Sequence, residues 1–189
     1  GGGAGGSGGG GVLGLGSSSG GPVPAPGTRR VEWHVTGTPR ANFSSVVVFP
    51  YDSRTGCCTL IREYCPGSNA MLSALPGGMF QPEKHRDLLQ AARDELSEEA
   101  ELTGGTWVEL APAGIPQDKY SMNRLHAYLA IDCSADPAPR PRDEEELIRV
   151  EHGVPVEEVL RRIASGDMAA PGAMAAMLAV EKLRSMGLR

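Results

Sequence analysis

Apolar residues along this chain follow two spacings, one typical of strands and one typical of helices. Short β-branched or alternating runs, bounded by turn residues, predict strands at residues 31–35, 44–51, 57–64, 71–75, 107–111, 123–133 and 145–150. Apolar residues three and four positions apart predict helices that end near Leu102 and that cover residues 156–164 and 171–186. In the last helix this spacing predicts that Met174, Met177, Leu178 and Leu183 pack in the core. Strands mixed with helices indicate an α/β fold.

Residues 1–29 differ in composition from the rest of the chain, being rich in Gly, Ser and Pro. A segment of this kind buries too little apolar surface to offset its ordering entropy. We therefore expect a flexible leader at residues 1–29 and one folded domain at residues 30–189. The leader is either a plain disordered segment or the remnant of an organelle transit region, although it lacks the Arg-rich pattern of the latter.

Composition and charge exclude several classes of protein. The 189 residues carry a formal net charge of −5, which argues against a nucleic-acid surface. No run of about 18 apolar residues is present, so no transmembrane helix is expected. The four cysteines, Cys57, Cys58, Cys65 and Cys133, have no zinc-site spacing and are expected to be free thiols. We expect an intracellular, cytoplasmic protein, with a plastid or mitochondrion as the alternative.

Candidate chemistry is concentrated on the first helix. Glu95, Glu98 and Glu99 share one stripe, because positions three and four apart lie on the same face of a helix. Carboxylate oxygens in this arrangement suit a hard divalent cation, Mg²⁺ or Mn²⁺. A solvated acidic face is the alternative interpretation. Without a bound cation, repulsion between neighbouring carboxylates should raise the pKa of at least one of these glutamates.

The Pro-Gly-Gly turn at residues 76–78 and the helix after it resemble the signature of the Nudix hydrolases. The matching residues are Glu95, Leu96, Glu98, Glu99 and Leu102. The resemblance implies an α/β/α sandwich with a mixed β-sheet. It also implies that Glu95, Glu98 and Glu99 hold Mg²⁺ or Mn²⁺, with Glu98 and Glu99 acting in catalysis.

Two positions depart from that signature. Asp94 stands where the family has arginine, and Arg93 lies one residue early, about 100° around the helix. Asp94 and Glu98 then form a repulsive pair unless a cation lies between them. Glu101 stands where the family has glycine, so we expect the left-handed helix cap to be lost or displaced to Gly104.

Segments outside the signature are similar to the branch of the family that cleaves ADP-ribose and ADP-sugars. Residues 60–64 resemble a strand of that branch whose arginine corresponds to Arg62, which would bind substrate together with the backbone of Gly77 and Gly78. Residues 143–148 resemble an acidic loop that supplies the general base, either Glu144 or Glu146. This branch resemblance also favours a homodimer.

Two functions remain open from the sequence. One is metal-dependent hydrolysis of a nucleoside diphosphate linked to another moiety, of ADP-ribose or ADP-sugar type. The other is a Nudix-fold binding or scaffold subunit of a larger assembly with weakened catalysis, which the residues at positions 94 and 101 favour.

Overall fold

The computed structural model of the chain describes residues 27, 31–142 and 146–189. The strands are β1 Ser44–Asp52, β2 Cys57–Cys65, β3 Ala70–Ala74, β4 Gly77–Met79, β5 Leu102–Thr103, β6 Thr106–Glu109, β7 Ile115–Pro116, β8 Arg124–Ile131, β9 Ser134–Ala135 and β10 Ile148–Pro155. The helices are α1 Leu88–Ala100, α2 Val156–Ala164 and α3 Ala170–Ser185, with a short 3-10 turn at Pro39–Ala41. Apart from Gly27, the predicted leader lies outside the described residues.

The main sheet has the strand order β10-β2-β1-β8-β6. β1 runs parallel to β8 along its whole length, from Ser44 opposite Arg124 to Tyr51 opposite Ile131. In contrast, β1 and β2 pair at only two positions beside their hairpin turn. Beyond that point β3 pairs with β2 and β4 pairs with β1. The predicted turn at residues 76–78, here called the glycine turn, is corrected in part, since Gly77 and Gly78 belong to β4 and pair with β1 where β1 and β2 have separated.

Helices cover both faces of this sheet. Alternate residues of β1 point to opposite faces, as in any strand. Val47 and Phe49 join the core that includes α2 and α3, while Val46 and Val48 join the core that includes α1. The predicted α/β/α sandwich with a mixed β-sheet is confirmed.

Helix α3 corrects one sequence prediction. Leu183 is buried as predicted and Leu178 is half-buried, but the other buried residues are small, namely Gly172, Ala175, Ala176, Ala179 and Val180. Met174 and Met177 are instead 47% and 52% exposed, so the prediction that they pack in the core is wrong. Alanines at these positions let the helix backbone approach the sheet closely, and the longer methionines fall on the outer side.

Both terminal strand predictions also need correction. Residues 31–35 form no strand, and Thr36 makes a single bridge to Ser121. The last strand begins at Ile148 rather than at residue 145 and continues to Pro155, through an irregularity between Glu151 and Val154. Among the described helices, none has the length and apolar character to cross a membrane.

Candidate active site

The first helix and the glycine turn meet through two glutamates. Oε2 of Glu99 accepts a hydrogen bond of 2.7 Å from the amide of Gly77. A Cβ atom added to Gly78 would lie 2.1 Å from Oε1 of Glu95, so no larger residue fits here without displacing that carboxylate. Gly77 is required for a different reason, because a Cβ atom there would lie 2.4 Å from the Val46 carbonyl oxygen of β1.

Glu99 is a buried carboxyl group with a strongly shifted pKa. Its side chain is almost fully enclosed, with 3% of the residue exposed. Burial raises the pKa of Glu99 to about 9, against the lowering effect of the Gly77 amide, and the charges of Glu95, Glu146 and Glu63 raise it further. The predicted rise in one carboxyl pKa is thus present, but burial contributes more to it than the neighbouring carboxylates do.

These four residues, Glu63, Glu95, Glu99 and Glu146, are called the glutamate cluster below. Glu63 lines a cavity of about 250 Å³ together with Gly77 and Gly78. In the sheet it lies opposite Ile148, two residues after Glu146. Glu63 is not among the site residues that the sequence predicts. The sequence indicates this role of Glu63 only indirectly. Glu63 follows Arg62 in a strand, and neighbouring strand residues point to opposite faces of the sheet.

Glu98 and Glu144 are also predicted to take part in catalysis. Glu98 is half-buried on α1, and its backbone carbonyl accepts a hydrogen bond from Arg142. Glu144 lies outside the described residues. The catalytic and metal-binding roles of Glu95, Glu98, Glu99, Glu144 and Glu146 stay predictions.

The Arg62 guanidinium is engaged in contacts of a structural kind. It forms an ion pair of 2.6 Å with Asp167 and donates to Oγ of Ser73 and to the carbonyl oxygen of Met71. These groups belong to β3 and to the segment between α2 and α3. A substrate-binding role for Arg62 stays a prediction, and a substrate would have to compete with these partners.

Asp94 has acquired partners that the sequence did not suggest. It is 6% exposed, and its carboxylate pairs with Arg140 at 3.1 Å and accepts from the Gln90 amide at 2.8 Å. Nε2 of His85 lies 3.8 Å from the same carboxylate, and burial lowers the pKa of that imidazole. A cation therefore does stand beside Asp94, supplied by a distant segment. Arg93 instead lies over the ring of Trp107.

The end of α1 corrects a second prediction. Glu101 itself adopts the left-handed conformation with φ of 57°, and its amide donates to the carbonyls of Leu96 and Ser97. The helix cap is therefore neither lost nor displaced to Gly104. Arg142 stabilises this strained residue, since its Nη2 lies 2.9 Å from Oε1 of Glu101.

The glutamate cluster has the donor chemistry of a site for a hard divalent cation. Neighbouring carboxylates repel one another, and a bound cation relieves this repulsion. Oxygen is also the donor that Mg²⁺ and Mn²⁺ prefer. In their present rotamers, no three acidic, imidazole or thiol groups of the described residues already surround a point that would hold a metal ion. The donors fit such an ion in type and charge.

A model of the NUDIX domain matches residues 41–172, which is more than half of the chain. The chain therefore belongs to the Nudix family, and the resemblance of its glycine turn and first helix to the family signature is confirmed. No curated protein matches the chain in sequence.

Solved structures give the same fold. The chain is similar to the crystal structure of an ADP compounds hydrolase, with a TM-score of 0.63 and 19% identity, over 77% of this chain and 75% of that one. It is also similar to the NUDIX domain of Shewanella oneidensis NrtR, solved with ADP ribose. That match has a TM-score of 0.55 and 18% identity, over 74% of this chain and 87% of the other. At such identities the likeness concerns the fold alone.

Proposed function

We propose that this protein is a Nudix hydrolase that cleaves the diphosphate bridge of a nucleoside diphosphate linked to another moiety. The observation that carries the proposal is the contact between Glu99 and the Gly77 amide, with three further carboxylates acting on the same group. This arrangement places carboxyl oxygens, the donors that a divalent cation prefers, beside a glycine backbone that a phosphate can approach closely.

Substrates of ADP-ribose or ADP-sugar type fit the proposal best. Two similar structures support this class, since one is of an ADP compounds hydrolase and the other contains ADP ribose. The cavity of about 250 Å³ beside Gly77 and Gly78 gives the diphosphate a place next to the glutamate cluster. Water attacks one phosphorus, the bridging oxygen leaves with the other phosphate, and two phosphate esters result.

A Mg²⁺ or Mn²⁺ ion, when bound, neutralises developing charge and lowers the pKa of a bound water. Glu95, Glu98 and Glu99 would hold it, and Glu99 would give up its proton on binding. Gly78 leaves room for the Glu95 carboxylate, and the backbone of Gly77 and Gly78 can be approached by a phosphate oxygen. The proposed general base is Glu146, because its charge already acts on Glu99, with Glu144 as the alternative.

The test is hydrolysis by the purified full chain. ADP-ribose, ADP-glucose and ATP are each incubated with Mg²⁺ or Mn²⁺, and the products are separated by ion-exchange chromatography. We expect AMP and a sugar phosphate from the first two compounds and little turnover of ATP. Absence of hydrolysis, together with an unfolding temperature that Mn²⁺ leaves unchanged, would end the enzyme proposal.

The second candidate, a scaffold subunit, rests on Asp94 and Glu101. Both departures from the signature have an arginine partner, Arg140 and Arg142 respectively, which argues for a site that has been rebuilt rather than abandoned. The scaffold hypothesis would gain support from a Mn²⁺-insensitive protein that copurifies in a larger complex. A homodimer and a cytoplasmic location remain predictions under either function.

A further inference from the structure

Residues 136–142, here called the proline-rich segment, bind the C-terminal half of α1 along its length. At one end, Asp136 accepts a hydrogen bond of 2.7 Å from Oγ of Ser97, and its amide donates to the Glu101 carbonyl. In the middle, the Arg140 amide donates to the same Ser97 hydroxyl, and its guanidinium pairs with Asp94. The sequence had no periodicity here, yet each of these contacts is specific.

Arg142, at the other end of the segment, binds the last turn of α1. Its Nε donates to the Glu98 carbonyl at 3.0 Å, and its Nη2 donates to the Glu99 carbonyl at 3.4 Å and to Oε1 of Glu101 at 2.9 Å. The last carbonyls of a helix have no partner within the helix, and a cation is favourable at this negative end. One guanidinium thus holds the backbone of the two consecutive residues whose carboxylates are proposed to bind metal.

We propose that Arg142 is a positioning residue for Glu98 and Glu99, with the Arg140–Asp94 pair as a second anchor of the same segment. This inference rests on the proposed function. Helix ends fray, and each residue of an α-helix advances the side-chain direction by about 100°. A slight unwinding of the last turn would therefore turn the Glu99 carboxylate away from the Gly77 amide.

The left-handed Glu101 makes this turn the weak point of the helix. A non-glycine residue in that conformation is strained, because its Cβ atom lies too close to the following carbonyl oxygen. Family members with glycine at this position would carry no such strain. In this chain the contact between Arg142 and the Glu101 carboxylate offsets the strain, so the geometry of the catalytic helix depends on a residue outside it.

The experiment compares Arg142→Met, which removes the donors but keeps the apolar stem, with Arg142→Lys, which keeps the charge but not the fork. Arg54→Met is the matched control, because Arg54 also pairs with a carboxylate but is exposed and lies in the β1–β2 turn. For each protein the Mn²⁺ dissociation constant is measured by electron paramagnetic resonance. The values of kcat and KM for ADP-ribose are measured with Mn²⁺, and the unfolding temperature without metal.

We expect Arg142→Met to weaken Mn²⁺ binding by roughly 10- to 100-fold, the usual scale for losing a group that orients metal ligands. The value of kcat at intermediate Mn²⁺ should fall in parallel, while KM stays unchanged. Arg142→Lys should recover part of the loss, and Arg54→Met should match the wild type. If Arg142→Met does not fold, Arg142→Lys alone decides, with weaker Mn²⁺ binding as the expected result.

A purely structural role gives a different pattern. Arg142→Met would then lower the unfolding temperature but leave Mn²⁺ affinity and kcat at wild-type values, which would overturn the inference. A wild-type protein that binds Mn²⁺ but hydrolyses no diphosphate would end the proposed function, and the affinities of the variants would still decide the role of Arg142. A wild-type protein that does not bind Mn²⁺ would overturn both.

Discussion

Two groups of charged side chains in this molecule have opposite electrostatics. The first, called the arginine network, consists of Arg62 and Arg162 with Asp167, Glu151 and Glu158. Arg62 pairs with Asp167, while Arg162 pairs with Glu151 and Glu158. Each of these acids therefore has an arginine partner, and the ion pairs connect residues in and around β2, β10 and α2.

In the glutamate cluster, the carboxyl group of Glu99 lies near the carboxyl groups of other glutamates. Hydrogen bonds from Arg161 and Arg162 lower the pKa of Glu158 to about 2, whereas burial and three neighbouring carboxylates raise the pKa of Glu99 to about 9. The same residue type thus remains ionised in one place and protonated in the other at neutral pH. The difference teaches that hydrogen bonds from arginine keep one glutamate ionised, whereas burial beside other carboxyl groups keeps another protonated until its surroundings change.

The largest expected contrast comes from removing one carboxylate from each group. Glu99→Gln should lower turnover by roughly 100- to 1,000-fold, the scale for losing a group that stabilises transition-state charge, and it should leave the fold intact because glutamine can still accept from Gly77. Glu158→Gln, the matched control in the arginine network, should keep full turnover. Steady-state hydrolysis of ADP-ribose measures both. Full activity in Glu99→Gln would remove Glu99 from the site.

A smaller effect should follow from filling the space at Gly78. In Gly78→Ala the new methyl group meets the Glu95 carboxylate and pushes it aside, so the Mn²⁺ concentration for half-maximal activity should rise by roughly 10-fold. Gly67→Ala is the control, since a Cβ there meets nothing within 4 Å. A titration of activity with Mn²⁺ compares the two variants. Equal behaviour of both would show that Glu95 has no part in metal binding.

The pH dependence of stability should separate the two groups in metal-free protein. The folded pKa of Glu99 is above its ordinary value of 4.5, so its contribution to the free energy of unfolding is lost as pH rises from about 4.5 to about 9. For Glu158 the folded pKa is depressed, and its contribution is lost as pH falls from 4.5 through about 2. Urea unfolding in EDTA at several pH values measures both.

At pH 8, metal-free Glu99→Gln should therefore be more stable than the wild type, and this difference should vanish near pH 4. Glu158→Gln should be less stable than the wild type at pH 8 and should approach it under acid conditions. Parallel curves for Glu99→Gln and wild type across this range would contradict the raised pKa of Glu99.

The smallest effect is expected at Arg62. Arg62→Met removes the ion pair with Asp167 and should lower the free energy of unfolding by about 1–3 kcal/mol, with KM for ADP-ribose unchanged. Arg54→Met, which breaks an exposed pair, should cost less than about 1 kcal/mol. A large rise in KM without loss of stability would instead favour the substrate-binding role that the sequence predicted.

Local patterns explain what the sequence predicted well. The positions of Glu95 and Glu99 on one face of α1 follow from a spacing of four residues, and the strands around β1 follow from their β-branched runs. The role of Arg62 did not follow in the same way. Which of two neighbouring strand residues faces the glutamate cluster depends on how β2 separates from β1, and that separation is a property of the whole sheet.

The departures at Asp94 and Glu101 were harder still to interpret, because their partners are remote. Arg140 and Arg142 lie more than forty residues beyond the groups that they bind, in a stretch with no strand or helix pattern. A charge that looks unfavourable within a helix can be neutralised by tertiary contacts. No periodicity reports such contacts, so the sequence alone suggested a weakened site.

The attachment of both arginines to one short segment has a consequence for how this sequence can vary. Deleting or inserting a single residue between positions 136 and 140 would shift Arg140 and Arg142 together and remove the arginine partners of Asp94 and Glu101 at once. Relatives that retain an acid at both helix positions should therefore preserve the length of this segment, even where its prolines and alanines change. Relatives with the ordinary arginine and glycine in the helix should tolerate loops of many lengths there.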